Sequence, residues 1–88
     1  MDQRTLIACL PPPTSPVDAD ALFRLGLRYS THADGCEPDL VAAHALFDLA
    51  ARAGSLEAKV YRHELGEEMD VEDIIEAQAL ARAWLAER

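Results

Sequence analysis

The residues of this chain that could do chemistry are three histidines, two cysteines and an unusual number of acids. The histidines are His32, His44 and His63. No two of them stand four residues apart, the spacing that puts two imidazoles on one helical face around zinc. Ser30, His32 and Asp34 lie close in sequence. A nucleophile, base and acid must converge in space on a rigid scaffold, so a polar loop is the simpler reading. Asp34-Gly35-Cys36-Glu37, followed by Asp39, outlines half a calcium loop but lacks the alternating acids and the terminal bidentate glutamate. Cys9 and Cys36 match no metal spacing. They read as reduced small hydrophobes, with a single disulfide between them as the alternative. No catalytic residue, cofactor or metal ligand is expected.

Charge is the stronger signal. Glu64, Glu67, Glu68, Asp70, Glu72, Asp73 and Glu76 fall in one short stretch with no Lys or Arg inside it. This stretch is either an electrostatic docking edge for a basic segment or a solvated helix junction whose acids cap the following helix. The whole chain carries a formal charge of -8. That argues against nucleic acid, whose phosphates need a basic face.

The elements that must position these groups are helical. Half of the 88 residues are hydrophobic, many of them Ala and Leu, and long Val/Ile/Thr runs are missing, so helix is favoured. A chain of this length makes one domain at most and buries only about 60–65% of its unfolded surface. Residues 1–17 read as an extended leader around Pro11-Pro12-Pro13 and Pro16, and residues 18–88 as one helical domain. Helices are expected near 18–31, 39–53, 56–67 and 71–86. Their caps are Ser15, Asp18 or Asp20 for the first, Asp39 for the second, Ser55 for the third and Asp70 for the fourth. Gly54 is placed to end the second helix in a left-handed conformation, and Arg82 and Arg88 are placed to close the fourth. The first helix carries two apolar stripes, Leu22/Leu25/Gly26/Tyr29 and Phe23/Leu27, so it should be sandwiched between neighbours. The leader's Leu6, Ile7 and Leu10 are candidates to cover the second stripe. In the third helix Ala58, Tyr61 and Leu65 should point inward.

One pattern occurs twice. Asp39 to Ala51 reads DLVAAHALFDLAA and Asp73 to Leu85 reads DIIEAQALARAWL. Ala43 then matches Ala77, Ala45 matches Ala79 and Leu46 matches Leu80. Such repeated units lack a complete core and stack on each other. The expected fold is all-α, two helix-turn-helix repeats forming a short α-solenoid or four-helix array.

Ala21, Leu25-Gly26, Tyr29, Gly35-Cys36, Asp39, Ala43, Phe47, Ala50-Ala51, Gly54 and Ala58 together resemble a Sel-one-like repeat, a relative of the tetratricopeptide repeats. The segment from Leu65 and Met69 through Glu76-Ala77-Gln78, Leu80-Ala81-Arg82 and Trp84 is similar to the C-terminal cap of bacterial members. The loop after Tyr29 is longer than usual and lacks the first glycine, and Phe47 stands where Trp is common. The resemblance implies that Ala21, Gly26, Ala43, Ala50 and Ala51 let two helices approach, with Leu25, Tyr29 and Phe47 between them. It also implies an adaptor that binds a protein or peptide without catalysis.

The residues expected to meet a partner are Phe23, Leu27, Glu68, Asp70, Glu72, Asp73 and Trp84, where Trp84 could equally close the core. The partner is another protein or peptide carrying a basic segment. A structural subunit of a homo-oligomer, a homodimer included, and a regulatory subunit of an enzyme are the alternatives. No stretch is long enough to cross a membrane. The run before Cys9 is too short for a signal core. A cytoplasmic location is expected, with the periplasm or a lipoprotein in its place if the true start lies upstream.

Overall fold

Three of the four helix starts are set by a side chain that accepts from the first turn. The computed structural model describes residues 18–31 and 38–87. The leader, His32, Asp34, Gly35, Cys36, Cys9 and Arg88, and the expectations attached to them, lie outside these residues. The described helices are α1 (Ala19–Tyr29), α2 (Leu40–Arg52), α3 (Leu56–Glu68) and α4 (Val71–Ala86), with no strand among the described residues. The Asp18 carboxylate accepts from Asp20 N–H at 3.0 Å and from Ala21 N–H at 3.4 Å. Asp39 accepts from Ala42 N–H and Ser55 from Ala58 N–H. Each bond satisfies a donor that the helix itself leaves unpaired.

The fourth start differs. Asp70 occupies the cap position, but its side chain makes no capping hydrogen bond. Glu72 and Asp73 still place negative charge in the first turn of α4, where the helix dipole favours it. The last turn of α4 holds no basic residue, which corrects the expectation for Arg82; Arg82 lies earlier in the helix. The end of α2 is as expected. Gly54 has φ of +114°, Gly54 N–H donates to Ala51 carbonyl and Ser55 N–H to Ala50 carbonyl. This is the two-bond closure that a left-handed residue makes possible.

The enclosed helix is α2, not α1. Every residue from Ala42 to Ala50 is buried, and α2 packs against each of the other three helices. An element apolar around most of its circumference is stable only when surrounded. All the substantial helix–helix interfaces among the described elements involve α2. Consequently α3 and α4, joined through Met69 and Asp70, do not pack closely along their lengths as a second hairpin would. They diverge from the turn, with α2 between them as a floor.

The duplicated pattern survives as burial. Ala43, Leu46, Phe47 and Ala50 on α2 are buried, and so are their counterparts Ala77, Leu80, Ala81 and Trp84 on α4. Both helices therefore present the same register of positions to the core.

The small residues do not all act alike. Gly26 is buried against Phe47, and Ala43 and Ala50 are buried too, whereas Ala51 is half-buried and Ala21 is exposed, so Ala21 does not mediate a close approach. A Cβ on Gly26 would sit 2.6 Å from Phe47 Cε1 and 2.7 Å from its Cδ1. Phe47 is 1% exposed and cannot yield freely. Gly26→Ala should therefore destabilise the domain by about 1–3 kcal/mol despite the better helix propensity of alanine. A urea-denaturation midpoint equal to that of the wild type would show that α1 can move away from α2 at no cost.

Candidate functional site

The divergence of α3 and α4 leaves a groove of about 870 Å³. Its floor is the one polar strip of α2. His44 and Asp48 stand four residues apart, hence on one helical face, with Arg52 a further turn along. From α3 the groove receives Lys59, Val60, Arg62, His63, Glu64 and Gly66. From α4 it receives Ile74, Gln78 and Arg82. The matched sequence register of α2 and α4 covers several of these positions. In the register that matches Ala43 with Ala77, His44 matches Gln78 and Asp48 matches Arg82. The polar positions of the duplicated helix thus converge on one space, as its apolar positions converge on one core.

Asp48 organises the floor. It is 5% exposed and holds two guanidinium groups. Arg52 Nε donates to Oδ2 at 3.1 Å from the same helix, and Arg62 donates to Oδ1 from α3. A carboxylate with two charge-assisted partners is a tolerable buried anion, and the Arg62 bond ties α3 to α2. An acid between Phe47 and Leu49 in an apolar helix was a usable signal for this network, because such an acid needs a partner. Arg62 could not be identified as that partner from local spacing.

His44 is the unusual group. It is 4% exposed, and its Nδ1 has no hydrogen-bond partner among the described residues. Its other ring nitrogen, Nε2, lies toward Gly66, 3.8 Å from where a Cβ on that glycine would be. An unpaired buried polar atom costs about 1–3 kcal/mol. Burial holds the His44 pKa below its ordinary 6.5; the Asp48 carboxylate opposes this and the Arg62 guanidinium adds to it. The unfolded chain therefore takes up a proton on acidification that the folded chain resists. The stabilisation linked to neutral His44 is complete above pH 6.5 and is lost as pH falls through the lowered value. The urea midpoint should drop as pH falls below 6.5, and His44→Gln should shrink that drop. An unchanged pH dependence in His44→Gln would assign the effect to other groups.

The residues expected to meet a partner are distributed differently. Phe23 is half-buried in an aromatic cluster, with ring centroids 5.8 Å from Phe47 and 5.2 Å from Tyr61. Phe47 and Tyr61 are 5.6 Å apart. Tyr61 packs inward by its ring yet remains 43% exposed. Leu27 is half-buried against the core. Trp84 is 5% exposed, the placement of a residue that closes the core. Glu68, Asp70 and Glu72 are exposed and Asp73 is half-buried. None of these seven lines the groove. His63 does, and it pairs with Glu67 at 3.1 Å, both side chains being largely exposed. Among the described residues there is no group of three or more side chains placed to hold a metal ion, and no helix is long and apolar enough to cross a membrane.

Comparison of the chain with protein-family models, with curated proteins and with solved structures finds no match.

Proposed function

We propose that this protein is a non-catalytic adaptor of the Sel-one-like, tetratricopeptide-like kind, which holds a segment of another protein. The observation that carries this reading is the open groove between α3 and α4. Its walls come from two helices and its floor from a third. Helical repeats use concave surfaces of this kind to hold extended or helical segments. The burial of four matched apolar positions on both α2 and α4 supports the repeat reading, because stacked copies bury the same face. The acidic turn gives the rim a sign. Glu68, Asp70 and Glu72 are exposed and make no ion pair among the described residues. A basic flank of the partner would be steered toward them.

A second reading is favoured by the exposed apolar side chains of the same two helices. Leu56 and Val71 are 78% and 71% exposed, and Val60 and Ile75 are each 56% exposed. Apolar surface of this kind suits a contact between copies of the chain.

Affinity capture with the full chain separates the two. The control is the triple variant Asp70→Lys, Glu72→Lys, Asp73→Lys, checked for folding by circular dichroism because it places adverse charge at a helix start. A captured protein should protect amides of α3, α4 and their turn from hydrogen exchange. It should also associate more slowly with the triple variant and at higher salt. Capture of further copies of the chain alone, with a concentration-dependent mass in ultracentrifugation, would replace the adaptor by the homo-oligomer.

A further inference from the structure

We infer that the groove between α3 and α4 is a receptor for an acidic peptide segment, one in which carboxylates alternate with apolar side chains. The inference rests on the adaptor reading and adds the chemistry of what is held.

The chain has 8 Lys and Arg against 16 Asp and Glu. Were they evenly mixed, any surface would show twice as many acids as bases. The groove reverses this. Among the described residues it collects four cations, Arg52, Lys59, Arg62 and Arg82, and two acids, Asp48 and Glu64. A cationic hollow in a strongly acidic molecule concentrates its field on whatever enters it.

These cations are not all committed. Arg52 and Arg62 share the single carboxylate of Asp48, so one charge balances two. Lys59 and Arg82 make no ion pair among the described residues. They approach from opposite walls, one on α3 and one on α4. An anion between the walls would meet both, above the Asp48-bound guanidinium of Arg62, whose fork suits a further carboxylate. His44 adds a nearly buried imidazole to the floor of the same groove.

The apolar part of the groove selects a peptide over a small anion. Val60 on one wall and Ile74 on the other stand among the cations, and the volume of about 870 Å³ is the size of sites that enclose several side chains. A phosphate-sized ion would leave most of it unfilled.

The test uses short acetylated and amidated peptides that share one leucine pattern and carry Glu, Gln or Lys at the remaining positions. Each is fluorescently labelled, and binding to the full chain is followed by anisotropy. The Glu peptide should bind at least about tenfold more tightly than the Gln peptide. Lys59→Ala and Arg82→Ala alter exposed positions and should keep the fold, yet each should weaken the Glu peptide several-fold. The Asp70/Glu72/Asp73 charge-reversed variant should bind it no more weakly than wild type. If the Gln or Lys peptide binds the groove as well as the Glu peptide, the adaptor reading stands and the acidic ligand is wrong. If none binds, both the ligand and the groove as a peptide site are lost. Self-association of the chain that displaces the Glu peptide and disappears in the charge-reversed variant would make the acidic turn of a second copy the occupant, which overturns a partner of different identity.

Discussion

Replacing Phe47 with alanine should lower stability by about 3–5 kcal/mol. Phe47 is 1% exposed and sits where three helices meet. It fills the space that Gly26 leaves on α1, and its ring touches Phe23 from α1 and Tyr61 from α3. The truncation therefore removes a large buried surface and two ring contacts, and leaves a cavity whose walls belong to separate elements. Collapse to refill it would require α1 to slide on α2. A domain of this size has about 5–15 kcal/mol in total, so the variant should show a much lower midpoint, or no folded baseline, in urea followed by circular dichroism. A loss under about 1 kcal/mol would mean that the aromatic cluster packs loosely and that α2 is not the centre of the fold.

Asp48→Ala should cost about 2–3 kcal/mol, less than a fully buried pair because its partners reach solvent. The Asp48 side chain is 8% exposed, whereas those of Arg62 and Arg52 are 32% and 55% exposed. Removing the carboxylate strands the Arg62 charge in the groove and cuts the bond between α2 and α3. The order of effects identifies the mechanism. Asp48→Ala should exceed Arg62→Ala, and Arg52→Ala should stay below about 1 kcal/mol, as an exposed pair one turn along a helix does. Equal losses from Arg52→Ala and Asp48→Ala would show that the pair on one helix carries the effect and that the tie to α3 is idle.

The helices were legible because their causes are local. Asp18, Asp39 and Ser55 cap the next few residues, Gly54 turns the chain at its own position, and the apolar spacing of α2 and α4 lies within a few turns. Asp70 is the instructive exception: its type and position were those of a cap, but a side-chain bond depends on a rotamer that spacing does not set. Tyr61 and Ala21 show the same limit. Spacing placed Tyr61 on an inward face and the family resemblance placed Ala21 between two helices, but the packing left Tyr61 with an exposed edge and Ala21 in solvent.

The candidate groove was harder to see. Its cations are spread from Arg52 to Arg82 and diluted by the acids of the turn, so the sequence shows an acidic segment where the fold makes a cationic hollow. Residues on separate helices are brought together only by the order in which the helices pack. By itself the sequence determined four helices, their ends and a repeated apolar register, because hydrogen bonding and side-chain period act over a few residues. The tertiary structure alone decided that α2 is the enclosed element, that α3 and α4 diverge around it, and that Asp48, Arg62, Arg82 and the unpaired His44 share one space. Those outcomes depend on contacts between distant segments, whose energies no local spacing encodes.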